Sequence, residues 1–319
     1  MTFFSILIAL LIEQLKPLRA DNPVYNTVKL LAARVETGFN AGLREHGRLG
    51  WFLVVGALTG PTILIYWICL SVSPVLALAW NILIVYLTLG LRHYSHYFTS
   101  IQLALNAGDV DSARTLLAEW TRQDTRGLEI SELSRLAVEK ALVTTHRSVF
   151  GVFFWFLMPV IGPAGAVLYR VSEYLARAWN EPEHMQNEAF GRFAAQAYYW
   201  IDWVPARLTA SAFAVVGNFE DAVYAWRNFA RRWHDETMGI ILSAGGGAMG
   251  VRLGTPVENA TALLPADAAL VDATVEDADV LPGDEPSPRA LQSTVGLVWR
   301  ALLLWMLLLL LLSLAVWLG

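Results

Sequence analysis

The segment 202–209, Asp-Trp-Val-Pro-Ala-Arg-Leu-Thr, holds the residue types best suited to chemistry. Asp202 and Arg207 are charged residues in apolar surroundings, where a charge without a partner costs several kcal/mol. Two interpretations remain open. Arg207 binds an anion or a nucleotide while Asp202 orients it, or the two side chains form a structural ion pair at the bend that Pro205 introduces.

The glycine-rich segment 245–254, Gly-Gly-Gly-Ala-Met-Gly-Val-Arg-Leu-Gly, is a second candidate because glycine lets backbone N–H groups approach a phosphate. Arg252 supplies a positive charge within it. The segment matches neither a Walker loop nor a dinucleotide fingerprint. Close helix crossing in a membrane protein explains the glycines equally well.

Other polar residues give weaker signals. Arg170 and Glu173 form a charge pair that we interpret as a helix-end anchor. His93 and His96 have a spacing that one helix face could offer to a metal, but no third ligand is apparent, so no metal site is predicted. The one cysteine, Cys69, excludes a disulfide framework and a thiolate metal cluster.

The composition predicts the environment that must position these residues. Of 319 residues, 55% are hydrophobic and 16% are charged, and the mean hydropathy is +0.45. A soluble domain of this length has too little core to bury so much apolar surface. The net charge of −5 offers no basic footprint, so nucleic acid is not expected as a partner. An integral membrane protein in contact with the lipid bilayer is predicted.

The apolar runs predict an all-α, polytopic membrane bundle of about four to six spans. One of these spans is broken or re-entrant because prolines and glycines interrupt it. The first run is short, so it is either a retained first span or an interfacial helix. The runs are 1–12, 49–70, 75–91, 149–168 (the broken one), 198–216 and 298–318. Ser71, Ser73 and Pro74 predict a tight turn between the second and third runs, which should form an antiparallel hairpin.

Basic residues concentrate before residue 49 and after residue 91, which predicts that both loops are cytoplasmic and the N-terminus is outside. The expected location is a bacterial inner membrane, with multiple passes. Residues 92–147 should form a small cytoplasmic helical layer that contains a hairpin at 101–120. Asp124 and Thr125 could cap the helix that follows. The predicted organisation is a membrane domain at 1–256, an acidic flexible linker at 257–296 and a terminal transmembrane helix at 297–319.

Read in order, these segments resemble the CobD/CbiB family of cobalamin-biosynthesis proteins. The resemblance implies a membrane protein that forms an amide on a corrinoid carboxyl in an ATP-dependent reaction. Asp202-Trp203-Val204-Pro205-Ala206-Arg207 is the most specific match. The remaining matches are supported by their order and lie at 21–24, 107–114, 122–128, 137–139, 153–155, 169–170 and 250–254.

The chain departs from the family pattern at several polar positions. The residues found there are Asn22, Val143, Thr144, Arg147, Glu173, Ala176, Thr237 and Ile241. The AmpE branch of the same superfamily, described as an inner-membrane modulator, is also similar, notably in Gly162-Pro163 and the segment from Asp202 to Pro205. We therefore predict a modulator, sensor or assembly partner without ligase activity. The alternative is a divergent, ATP-dependent adenosylcobinamide or adenosylcobinamide-phosphate synthase.

Each function implies its own partners. A modulator would contact another membrane protein and needs no cofactor, whereas a ligase would take a corrinoid together with ATP and Mg²⁺. No catalytic residue is assigned. The candidate ligand-binding residues are Asp124, Glu139, Arg170, Asp202, Arg207 and Arg252.

Overall fold

The computed structural model describes residues 2–18, 22–39, 44–159, 161–180, 188–233, 235–254 and 283–318. Within these ranges the regular structure is helical, which confirms the all-α prediction. The exception is one isolated parallel bridge between Val251 and Asp284.

Thirteen α-helices are found in the described ranges. They are α1 (Thr2–Leu15), α2 (Pro23–Phe39), α3 (Arg44–Val72), α4 (Pro74–Thr88), α5 (Leu91–Asn106), α6 (Val110–Thr121), α7 (Ile130–Thr145), α8 (Gly151–Phe156), α9 (Pro163–Ala178), α10 (Glu188–Val216), α11 (Phe219–Phe229), α12 (Glu236–Met249) and α13 (Pro288–Leu318).

Two helices, over Glu45–Val72 and Pro288–Ala315, are long and apolar enough to cross a bilayer, and two shorter apolar helices cover Thr2–Leu15 and Pro74–Thr88. Large apolar side chains stand exposed on these helices, among them Leu64 on α3 and Leu303 on α13, at 60% and 64%. A water-soluble surface rarely leaves so many together. Length, composition and exposure therefore agree with a bilayer as surroundings.

The predicted hairpin between the second and third apolar runs is confirmed. The Ser73 hydroxyl accepts a hydrogen bond from the backbone N–H of Val75 at 3.3 Å, and Pro74 occupies the first turn of α4. The Trp80 indole donates to the carbonyl of Thr62 at 3.1 Å and joins the two helices, which pack against each other. Helix α1 packs against α4.

The predicted layer after α4 is also helical. Helices α5 and α6 form the expected hairpin, and Asp109 caps α6 by accepting from the Ser112 N–H at 3.1 Å. The predicted cap of the next helix is wrong. Helix α7 begins at Ile130, after Glu129, and Asp124 instead binds the Arg126 backbone and guanidinium. Asp124 lies too far before the first helical turn to reach its free N–H groups.

The interruption of the fourth apolar run is confirmed. Helix α7 continues through one π-helical turn, His146–Phe150, into the short helix α8, which ends at Phe156. The chain then bends, and Gly162, at φ +54°, precedes Pro163 at the start of α9. Helices α8 and α9 pack against each other, so the run forms two helical pieces.

The glycine-rich segment is mostly helix α12, and the phosphate-loop interpretation is wrong for residues 245–249. A β-carbon at Gly247 would collide with the backbone of Asp221 and Ala222 on α11. The glycine therefore lets α11 and α12 pack closely, as a small residue does in membrane helices. The αL conformation of Gly250, at φ +67°, ends the helix.

Most of the predicted acidic linker, at residues 257–282, lies outside the described part of the chain. The described residues on either side of this gap meet at the bridge, where Arg252 N–H donates to Asp284 O at 2.9 Å and Asp284 N–H donates to Gly250 O at 2.8 Å. Helix α13 begins at Pro288, so residues 288–296 of the predicted linker are helical. The apolar run at 298–318 marks only the apolar part of α13. It does not mark where the helix begins, because a membrane helix can extend beyond the bilayer.

Candidate functional site

A buried polar network lies where α7, α9 and α10 meet. His146, at the start of the π-helical turn, has Nδ1 2.9 Å from the Thr209 hydroxyl and Nε2 2.8 Å from an Asp202 carboxylate oxygen. The Tyr169 hydroxyl donates to the same oxygen at 2.8 Å and lies 3.2 Å from the Tyr198 hydroxyl. All five side chains are buried, so the network satisfies polar groups inside an apolar bundle.

Helical geometry explains why α10 supplies two members of this network. Asp202 and Thr209 are two turns apart and lie within about 20° of each other around the axis. Asp202 and Arg207, five residues apart, differ by about 140° and face different neighbours. Of the two interpretations left open by the sequence, the Asp202–Arg207 ion pair is therefore wrong, and Asp202 does not orient Arg207 for a ligand either. Arg207 bonds to Glu236 at 3.4 Å and stacks on the Trp203 ring at 3.8 Å from its centroid.

The order Thr209, His146, Asp202 resembles the nucleophile, base and orienting acid of hydrolytic enzymes. A nucleophile must meet its substrate, but Thr209 is fully buried, and its hydroxyl also bonds to the Pro205 carbonyl at 3.0 Å. We therefore interpret the three residues as a support that holds α7 against α10. A π-helical turn, which often marks a functional site, places His146 there.

A cluster of basic side chains surrounds Glu173 beside this network. The Glu173 carboxylate pairs with Arg170 at 3.3 Å and with Arg177 at 3.5 Å, all three on α9. Arg170 also approaches the carbonyl of Arg147 at 3.4 Å. Burial chiefly, and then the positive charges of Arg147 and Arg177, lower the pKa of Lys140 on α7. We call the four basic side chains, those of Lys140, Arg147, Arg170 and Arg177, the cation cluster.

Aromatic rings border the cation cluster. Arg147 lies 5.9 Å from the centroid of the Tyr198 ring, which links the cluster to the buried network. Arg177 lies close enough to Tyr25 on α2 for the two to interact, and its guanidinium is 5.9 Å from the Tyr174 ring. The Tyr25 and Tyr174 rings meet edge to face at 5.7 Å. Rings in contact with guanidinium groups hold them in place by cation–π attraction.

Of the predicted ligand-binding residues, the structure brings Arg170 and Asp202 to this region. Glu139 instead accepts from Arg135 at 3.1 Å and from the Gly254 N–H at 2.8 Å, and burial raises its pKa although Arg135 opposes the shift. Arg252 donates to the Gly283 carbonyl at 3.3 Å. Asp124 and Arg207 lie in exposed or half-exposed pairs elsewhere.

Sequence reasoning missed His146, Lys140 and Arg177 as site residues. The available signal was that Arg170, Glu173 and Arg177 follow one another at spacings of three and four residues, which places them on one face of α9. Among the residues that the structure describes, no three His, Cys, Asp or Glu side chains group as a metal site. The side chain of His93 lies outside the described part of the structure.

A family model described as "CobD/Cbib protein" matches residues 6–275. No solved structure matches the chain. A cobalamin biosynthesis protein CobD from Stutzerimonas stutzeri is 33% identical over 315 residues, which cover 97% of both chains. The protein of the same name from Chromobacterium violaceum is 32% identical over 210 residues, 65% of each chain.

The family match covers every member of the buried network and of the cation cluster, and the relative with 97% coverage extends the similarity to both ends of the chain. These matches confirm the family but give no support to a place in the AmpE branch. On this sequence similarity, the chain belongs to the CobD/CbiB family.

Proposed function

We propose that this protein is an enzyme of cobalamin biosynthesis that forms an amide on a corrinoid carboxyl at the expense of ATP. The relatives named above carry the name cobalamin biosynthesis protein, which favours this alternative over the modulator interpretation. The observation that carries the proposal is the cation cluster, a partly open group of basic side chains within the part of the chain that the family covers.

ATP-dependent amide formation needs positive charge at the point where the phosphoryl group is transferred. The corrinoid carboxylate must be activated by phosphoryl transfer, and the phosphate must leave when the amine attacks. Arginine and lysine side chains stabilise the negative charge of transferring phosphoryl groups. Arg147, Arg170 and Lys140 are suited to that task, and Glu173 orients the arginines that it pairs with.

In the sequence, the departures from the family pattern favour a modulator over a ligase. At one of them the chain has Arg147 in place of a family acid. The structure gives this arginine surroundings that contain Tyr198, Arg170 and Lys140. A change in how the site binds phosphate would therefore explain the presence of Arg147, just as a loss of activity would.

The bilayer is part of the proposal. The apolar faces of α3 and α13 would lie in lipid, with α1 and α4 completing the membrane-facing surface. Multiple passes through a bacterial inner membrane are thus proposed, with the polar helical layer α5–α7 on the cytoplasmic side, where ATP is available.

Complementation tests the proposed function. A bacterial strain that lacks its own CobD/CbiB enzyme and is given cobyric acid should recover corrinoid-dependent growth when this chain is expressed. Arg170→Gln should abolish the recovery, whereas Arg126→Gln, in an exposed pair with Asp124, should not. If the wild-type chain accumulates in the membrane without any recovery of growth, the ligase proposal is wrong and the modulator interpretation returns.

A further inference from the structure

The cation cluster contains more positive charge than its neighbours neutralise. Lys140, Arg147, Arg170 and Arg177 come together around one buried carboxylate, Glu173, whose side chain is 7% exposed. Removing several like charges from water is unfavourable unless a counter-charge is present. Burial chiefly lowers the pKa of Lys140; the charges of Arg147 and Arg177 lower it further, while Glu173 opposes them.

The other carboxylates nearby do not remove the imbalance. Asp235 reaches Arg147 only at 4.0 Å, from a side chain that is 42% exposed. Asp202 is engaged with His146 and Tyr169 at 2.8 Å each, although it also attracts Arg147 through space. Within the described residues, the four basic side chains therefore face three carboxylates, of which only Glu173 pairs with them closer than 4 Å, and positive charge remains in excess.

The cluster is also accessible. The side chains of Arg147, Arg170 and Arg177 are 26%, 30% and 50% exposed, while Glu173 beneath them is buried. Guanidinium groups present paired donors that match the oxygens of a phosphate, and such charge-assisted hydrogen bonds are among the strongest in proteins. The buried Glu173 carboxylate thus holds Arg170 and Arg177, whose donor groups are partly exposed to solvent.

We propose that Lys140, Arg147, Arg170 and Arg177 form a phosphate-binding subsite that contacts a phosphate group directly through its guanidinium and ammonium groups. The inference rests on the proposed function, because it assigns residues of the same site to the phosphate that the reaction uses. It goes further in naming the subsite and in requiring no metal ion for binding. Two sources of the phosphate fit the chemistry, a soluble polyphosphate and a lipid headgroup.

Direct binding measurements test the subsite. The full-length protein is purified into nanodiscs of neutral phosphatidylcholine, and isothermal titration calorimetry measures binding of pyrophosphate, ATP and inorganic phosphate with EDTA present. We expect pyrophosphate and ATP to bind more tightly than phosphate. Arg177→Gln should weaken pyrophosphate binding roughly tenfold, since it removes one charge-assisted contact. This variant is chosen because Arg177 is half exposed, so its replacement is expected to leave the fold intact.

Arg126→Gln is the matched control, because it removes an equally positive side chain from an exposed pair, and its binding should equal that of the wild type.

Nanodiscs that contain phosphatidylglycerol distinguish a soluble polyphosphate from a lipid headgroup as the source of the phosphate. Competition with pyrophosphate, or binding of the lipid alone that Arg177→Gln weakens, would assign the subsite to a headgroup phosphate. Absence of binding by all the phosphate compounds, or binding that Arg147→Gln and Arg177→Gln leave unchanged, would overturn the proposal.

This experiment is independent of complementation. If growth is restored but no phosphate compound binds, the subsite is wrong and the function stands. If pyrophosphate binds with the expected dependence on Arg177 but growth is not restored, the subsite stands and the proposed reaction is wrong.

Discussion

Replacing Asp202 by alanine is expected to destabilise the protein more than the loss of any exposed carboxylate. One Asp202 oxygen lies 2.8 Å from His146 Nε2 and accepts from the Tyr169 hydroxyl at 2.8 Å. The Asp202 side chain is 2% exposed and that of His146 is 0% exposed, so water does not replace the lost acceptor. Asp202→Ala leaves two buried groups without their acceptor.

The magnitude follows from the two contacts. A buried donor left without a hydrogen-bond partner costs about 1–3 kcal/mol, and Asp202→Ala leaves two such groups, on His146 and Tyr169. Tyr169 keeps its 3.2 Å contact with Tyr198, so the tyrosine contributes near the low end of this range, about 1 kcal/mol. The free energy of unfolding should fall by about 2–4 kcal/mol in all. At about 2–3 °C per kcal/mol, the melting temperature falls by roughly 4–12 °C.

Thermal unfolding of the purified protein in one detergent, followed by tryptophan fluorescence, measures the change. Asp124→Ala is the control, because Asp124 pairs with Arg126 at an exposed site, and no measurable change is expected there. His146→Ala combined with Asp202→Ala should cost much less than the sum of the two single changes. If Asp202→Ala lowers the melting temperature no more than Asp124→Ala, the network does not support the fold as argued.

Two further predictions concern packing and topology. Gly151→Ala should lower the unfolding free energy by about 1–3 kcal/mol, because the added methyl would collide with the buried Tyr169 ring. Gly56→Ala is the control, because its added methyl meets open space, and it should not lower the unfolding free energy. Equal denaturation curves for the two variants would refute the packing argument. In a background whose one native cysteine is replaced, a membrane-impermeant maleimide should label Ser73→Cys from outside intact cells but not Ala118→Cys. The reverse labelling pattern would contradict the orientation taken from the basic loops.

The sequence by itself determined several of the helical elements and some of their ends. Apolar runs of sufficient length predicted α3, α4 and the hydrophobic part of α13, because a long stretch without charge is stable only in lipid or in a core. Ser73 and Pro74 predicted the turn between α3 and α4, because these residues cap and start helices through local contacts. The order of the motifs predicted the family, which the comparisons confirm.

Only the tertiary structure decided which side chains meet. The partners of Asp202 are His146 and Tyr169, which stand 56 and 33 residues away, whereas the sequence pointed to the nearby Arg207. Helical periodicity tells which residues of one helix share a face, but which other helix packs against that face depends on the sum of many contacts along the whole bundle. The cation cluster has the same origin, because Lys140 and Arg147 come together with the charges of α9 only when the segment from α7 to α8 packs against it.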